Sequence, residues 1–151
     1  MTDFSTNTAP PRVISAAGFI IALVGLVDAG YLTAKHYSGT AVPCSLVAGC
    51  ETVLTSEWSE IVGIPTALYG AVAYFAAFSI AFLVFNGNST LWNLFGALSS
   101  IMFIASLGFI YIQAFVIQAF CQYCLVSAAT STLLFVVYIV SRFVGKQPER
   151  S

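Results

Sequence analysis

From Ile61 to Ser141 the chain runs for about 80 residues without one acidic, basic or histidine side chain. A single helix crosses a bilayer with about 20 apolar residues, so several must share this stretch. Two polar breaks divide it. Asn86-Gly87-Asn88-Ser89-Thr90 is a glycine-containing connection, and a second break lies around 118–124, where Gln113, Gln118 and Gln122 gather. Spans are therefore predicted over 64–85, 91–115 and 121–143. A fourth apolar run, over 13–33, precedes them and is free of charge until Asp28. Its competing reading is a cleaved signal peptide, with Arg12 ahead of a short core. Against that, the helical pattern continues through Ala29-Gly30-Tyr31-Leu32-Thr33, past any cleavage zone.

Between the first two spans the pattern changes. In ETVLTSEWSEIVGIP the apolar residues Val53, Leu54, Trp58, Ile61 and Val62 recur with helical period, while Glu51, Thr55, Ser59 and Glu60 fill the other side. This predicts an amphipathic helix too short to span, lying on the membrane surface as a lid, with Trp58 at interfacial depth. Gly63 should end it, and Pro65 should occupy the first turn of the next span.

Composition agrees: 59% of residues are hydrophobic and 7% charged, against about a quarter charged in soluble proteins. The expected fold is all-α and integral to the membrane, a four-transmembrane-helix bundle with a short surface helix in the first outer loop. One membrane domain over 12–143 is flanked by a disordered N-terminal tail, 1–11, and a short cytoplasmic tail, 144–151. Four of the five basic residues, Arg12, Arg142, Lys146 and Arg150, fall on the side of the termini and only Lys35 on the other. The positive-inside rule then makes both termini cytoplasmic, in an inner or plasma membrane.

Parity of crossings places Cys44, Cys50, Cys121 and Cys124 on one face, outside the cytosol, where disulfides persist. The i, i+3 spacing of Cys121 and Cys124 suits a disulfide Cα separation of about 5.5 Å. Cys121 is expected in the first turn of the last helix, where free amides and the helix dipole favour a thiolate. Cys44 and Cys50, with five residues between them in CSLVAGC, can close a flexible ring. Static bridges are the alternative for either pair. A four-thiolate zinc site is another; its usual within-pair spacing of two to four residues fits the second pair but not the first.

The ordered set comprises a cysteine pair in the first outer loop, Ser56 six residues after Cys50 and then Trp58, a Gly63-Ile64-Pro65 helix start, and Cys121-Gln122-Tyr123-Cys124 opening the last span. It resembles the vitamin K epoxide reductase family in its bacterial form, over nearly the whole chain. The resemblance implies a quinone-dependent, disulfide-forming thiol oxidoreductase. Its helix-mouth pair is oxidised by a membrane quinone of ubiquinone or menaquinone type and then oxidises the loop pair, which oxidises a thioredoxin-like partner. By position Cys124 would face the quinone, Cys121 would exchange with Cys50, and Cys44 would meet the partner. Ser56 matches the serine near the quinone ring. Many bacterial members carry the thioredoxin-like domain fused after the bundle, whereas this chain reaches Ser151 with a short basic tail, so a separate DsbA-like partner is expected. The tyrosine that epoxide-reducing relatives carry soon after the last CxxC is replaced by Leu125-Val126-Ser127-Ala128. Vitamin K quinone or epoxide reduction is thus the alternative activity.

The chemistry is consistent with that reading on its own terms. A dithiol partner as oxidising as about −120 mV needs a more positive acceptor, and a quinone is available within the bilayer. The chain offers no glycine-rich nucleotide fingerprint and no histidine pair for haem, and nucleic acid is not an expected partner. A non-catalytic scaffold or metal-handling protein with static cysteines is the reading from another class. Ala73, Ala77 and Ala81 form a small-residue stripe suited to close helix packing. Asp28, the one acid inside a span, is divided between local hydrogen bonding and proton handling. Asn88-Ser89-Thr90 is a glycosylation pattern on the side where it would go unused.

Overall fold

The computed structural model describes residues 9–145. The tail expected over 1–11 falls largely outside them, as do Lys146 and Arg150 of the orientation argument. Among the described residues four helices are long and apolar enough to cross a membrane: α1 (Arg12–Ser38), α3 (Thr66–Phe85), α4 (Trp92–Tyr111) and α5 (Gln122–Val144). A short α2 (Cys50–Leu54) lies in the loop between the first two. The long helices form a ring in which α1 packs on α3, α3 on α4, α4 on α5 and α5 back on α1. This tertiary role for α1 is that of a bundle helix.

The core runs along the axis of the ring. Ala22, Ala29, Ala77 and Ala81 bring α1 and α3 together, and larger Tyr74, Phe95 and Leu134 fill the centre. Gly25 on α1 makes room for the Tyr74 ring, which a Cβ there would meet at 2.2 Å. Tyr74 reaches across the bundle to the Thr130 hydroxyl, 2.6 Å, and to the Ser127 carbonyl oxygen on α5. Such pairing is what a polar group inside a bundle requires. At the end near the termini the Trp92 indole N–H donates to Ser141, 2.7 Å, and Arg142 donates to Asn93.

The helix ends differ from expectation where polarity carries no information. α1 continues five residues past Thr33, because a helix that has left the apolar layer needs no apolar side chains. It stops at Gly39 in the left-handed conformation (φ 63°), whose N–H returns to the His36 carbonyl. Its 27 residues extend for roughly 40 Å, longer than the ≈30 Å hydrocarbon layer. α4 begins at Trp92 and runs on as a π-helical turn, Ile112–Ile117. Pro65 precedes α3 as its cap residue instead of sitting in its first turn.

The predicted surface helix is interrupted. α2 ends at Leu54, a 3-10 turn follows over Glu57–Ser59, and a two-residue hairpin pairs β1 (Glu60–Ile61) with β2 (Ile64–Pro65), with Glu60 opposite Pro65. Ser56 explains the break. Its hydroxyl donates to the Val53 carbonyl, 2.6 Å, while its extended backbone (ψ 161°) offers a carbonyl to the Ser59 N–H. A side chain that bonds its own backbone competes with the helix ladder. Gly63 therefore serves a hairpin turn, together with Val62 at φ 56°, and does not terminate a helix. The segment still acts as a lid, because Val53, Leu54, Trp58 and Ile61 line the outer end of a cavity between the helices.

Candidate active site

All four cysteines meet at one end of the bundle. Cys50, Val53 and Cys121 form a buried cluster, with Cys44, Leu54, Ile117, Ala119, Tyr123 and Cys124 packed against it. Cys44 and Cys50 are joined as a disulfide, Cα atoms 6.2 Å apart, while Cys121 and Cys124 are free thiols. Cys50 and Cys121 are almost wholly buried, at 1% and 0% exposure, whereas Cys44 is partly open. Of the outer pair, Cys50 is therefore the more enclosed and Cys44 the more accessible residue.

A set of contacts unforeseen in the sequence holds the two segments together. The π-helical turn ends in Gln118, which adopts the left-handed conformation (φ 57°) and reverses the chain toward Cys121. Buried Gln113 braces that reversal twice, its Oε1 accepting the Cys121 N–H at 3.1 Å and its backbone carbonyl the Ala119 N–H at 3.1 Å. The two residues between the inner cysteines grip the outer loop. Gln122 Oε1 accepts the Leu46 N–H at 2.9 Å, and the Tyr123 hydroxyl donates to the Pro43 carbonyl at 3.0 Å. The Tyr123 ring lies against Tyr31 of α1, centroids 5.5 Å apart. Gly49 then lets the loop touch the chain ahead of Cys121: a Cβ there would stand 2.6 Å from the Phe120 carbonyl oxygen. Glutamines inside an otherwise uncharged apolar region were the available signal.

Cys121 occupies the cap position of α5 instead of its first turn, with Cys124 one turn on. Its thiol is lowered from the ordinary range to about 7, chiefly by the hydrogen bond with Cys124. Burial opposes that shift; the backbone amides of Cys124 and Tyr123 favour the thiolate, and the charge of Asp28 opposes it. A cap position supplies such amides because the first N–H groups of a helix lack intrahelical partners.

Next to this centre lies an apolar cavity of about 350 Å³, within the range of small-molecule sites. Cys124 lines it and Cys121 does not; Ser56, Trp58 and Tyr74 contribute walls, and Asp28 and Gln113 bring polar groups. His36 stands in the wall as well, its Nε2 3.0 Å from Glu60 Oε1, which ties α1 to the lid. The Asp28 Oδ2 atom is buried with no hydrogen-bond partner among the described residues. The walls are largely apolar, with the unpartnered Asp28 carboxyl oxygen and Gln113 as their polar points. Of the predicted site residues, the four cysteines are brought together, and Ser56 shares the cavity with Cys124.

A four-helix membrane bundle carrying two cysteine pairs at one end, one of them open to an apolar cavity, defines a class of membrane thiol-redox proteins. The sequence pattern of the vitamin K epoxide reductase family matches residues 16–139, and the chain belongs to that family. It is also 31% identical over 120 residues to the thiol-disulfide oxidoreductase LTO1 of Arabidopsis thaliana, an alignment covering 73% of this chain and 32% of that protein. The chain thus spans about a third of the length of that relative.

Proposed function

We propose that the chain is a quinone-dependent, disulfide-forming thiol oxidoreductase working on a thioredoxin-like dithiol partner, with its cysteine pairs outside the cytosol and its termini inside. The observation that carries this reading is the gathering of both pairs in one cluster: Cys44 partly buried, Cys50 and Cys121 enclosed, Cys124 on the cavity.

The steps follow thiolate–disulfide exchange. A partner thiolate attacks Cys44, expelling the Cys50 thiolate, and the second partner thiol resolves the mixed disulfide, leaving Cys44 and Cys50 reduced. Cys50 attacks Cys121 of the oxidised inner pair, Cys124 leaves, and Cys44 closes on Cys50. The outcome is an outer disulfide over an inner dithiol, the state in the structure. When bound, a quinone supplies an acceptor for two electrons and two protons. Cys121, with its lowered pKa, is the thiol that ionises first, and the inner bond re-forms as the pair gives its two electrons to that acceptor and Cys124 its proton. Asp28, Gln113, Ser56 and Cys124 are the polar groups that would hold the ring. The Ser56 hydroxyl, which donates to Val53 here, would have to turn to donate to a ring oxygen. The five residues between Cys44 and Cys50 exceed the two to four usual within a zinc-ligand pair, which favours the redox reading over a zinc centre.

The test mixes reduced protein with ubiquinone-1 and with menadione and follows thiol loss and quinol formation. Cys124→Ala should abolish quinol formation, whereas Cys44→Ala should leave it and abolish oxidation of the partner. Wild-type protein that keeps both pairs unchanged under quinone and dithiol, or that holds stoichiometric zinc, would show the cysteines to be static.

A further inference from the structure

The polar side chains of the spans mostly satisfy themselves. Thr33 donates to the Ala29 carbonyl, Ser79 to Phe75, Ser100 to Gly96 and Thr132 to Ala128. Asp28, one turn ahead of Thr33 on the same helix, has no such arrangement. Its Oδ2 is the one buried side-chain nitrogen or oxygen without a partner among the described residues. Leaving a buried polar atom unpaired costs about 1–3 kcal/mol, more for a charged one, so a polar group entering the cavity would be favoured beside it. A carboxyl group can donate in one protonation state and accept in the other. It lines the cavity that Cys124 opens into, and its charge is felt at Cys121.

We propose that Asp28 is the acid of the cavity, passing a proton from its carboxyl group to a carbonyl oxygen of the bound quinone as the inner pair gives up its electrons. This rests on the quinone reading above. The balance closes with one proton from water. Cys121 as thiolate and Cys124 as thiol give up two electrons and one proton as their disulfide forms, and the ring takes up two electrons and two protons. The Cys124 proton goes to one ring oxygen and the Asp28 proton to the other, and Asp28 regains from water the proton that Cys121 had lost on ionising. The other ionisable groups facing the same space are His36 on α1, paired with Glu60 of the lid, Tyr69 and Tyr74 on α3, and Cys124 on α5; α4 contributes only uncharged side chains. His36 lies eight residues on from Asp28, about 12 Å along the helix, at the lid end of the cavity.

Three readouts on purified full-length chain test this. Infrared difference spectra on adding ubiquinone-1 to oxidised protein should show a carboxyl C=O band that shifts in wild type and is missing in Asp28→Asn. Quinol formation by the reduced Asp28→Asn protein should fall about a hundredfold, the usual weight of a positioned general acid, with a reduced solvent isotope effect and partial recovery in Asp28→Glu. Exchange between the outer and inner pairs, measured without quinone, should persist in both variants, within the few-fold change expected from removing a charge near Cys121, and report that they are folded. Asp28→Asn protein with intact exchange and wild-type quinol formation overturns the proposal, as does a wild-type spectrum with no carboxyl change when ubiquinone-1 binds. Wild-type protein that neither binds nor reduces ubiquinone-1 or menadione, while its pairs still exchange, removes the quinone reading itself and this role with it.

Discussion

Replacing Gly49 with alanine tests the docking of the outer pair on the inner one. Gly49 sits at φ −104° and ψ 1°, which alanine adopts without backbone strain, so the whole effect is one methyl group. That methyl would lie 2.6 Å from the Phe120 carbonyl oxygen, 2.9 Å from the Phe120 nitrogen and 3.1 Å from the Ala119 Cβ. Carbon and carbonyl oxygen rest at about 3.3 Å, so the loop must retreat by roughly 0.7 Å. Two of the three atoms are the Phe120 backbone, which lies between the Ala119 and Cys121 N–H groups that Gln113 accepts and so cannot swing aside. Overpacking of this kind costs about 1–3 kcal/mol. Its functional cost is geometric: Cys50 moves relative to Cys121, and a misplacement approaching 1 Å lowers an aligned reaction about a hundredfold.

The assay gives fully oxidised protein one equivalent of a thioredoxin-like dithiol without quinone, quenches with acid, alkylates, and locates the label by peptide mass. In wild type, label should pass to Cys121 and Cys124. In Gly49→Ala it should stall on Cys44 and Cys50, with inter-pair transfer slowed about ten- to a hundredfold. Reaction of the partner at Cys44 should persist. Gly30→Ala is the control, since a Cβ there meets nothing within 4 Å. Folded Gly49→Ala protein that delivers label to the inner pair at the wild-type rate would refute the argument that this contact aligns the exchange.

Two more outcomes follow from the inner pair. In reduced protein, alkylation of Cys121 should rise with pH to a midpoint near 7, and Cys124→Ala, which removes the leading cause of the lowered pKa, should move that midpoint up toward the free-thiol value of about 8.5. Because the folded state holds this thiol less protonated than the unfolded chain, the contribution to stability is present above the free-thiol pKa. It is lost as pH falls through about 7, which thermal unfolding of reduced protein across pH 7–9 would register. Gln113→Leu leaves the buried Cys121 amide without an acceptor, so unfolding should come easier by about 1–3 kcal/mol, with a matching drop in Tm and faster hydrogen exchange at 119–121.

The spans were legible because a bilayer leaves the chain little choice: backbone polar groups must pair within a helix, and about 20 apolar residues must surround them. The cysteines were legible by residue type, and their common end by counting crossings. The lid was legible as apolar positions and not as a structure. Period alone cannot reveal that Ser56 bonds its own backbone and divides one amphipathic helix into a helix, a turn and a hairpin. Gly49, Gln113, Gln122 and Tyr123 escaped notice as site residues for a related reason. Their work is done across sequence separations reaching 80 residues, by partners that local spacing does not name. Asp28 stood out as an acid within a span, but its orphaned oxygen and its place in the cavity wall belong to the packed bundle.

The same contacts answer why a redox relay would use two pairs instead of one. A single dithiol open both to a protein partner and to a lipid-soluble ring would have to be wide at both faces, and water would reach the thiolates. Here the two pairs are differently placed: Cys44 is partly accessible, Cys124 lines the cavity, and Cys50 and Cys121 are buried beside them. The grip of Gln122 on Leu46 and of Tyr123 on Pro43 comes from the residues between the inner cysteines, so α5 holds the loop beside the thiols that the loop must reach. Because the lid also roofs the cavity through Val53 and Leu54, displacement of the loop would loosen both functions together. The rate of transfer between the pairs and the occupancy of the cavity are therefore coupled through one short segment, and a variant that uncouples the first, such as Gly49→Ala, should also weaken binding of a quinone.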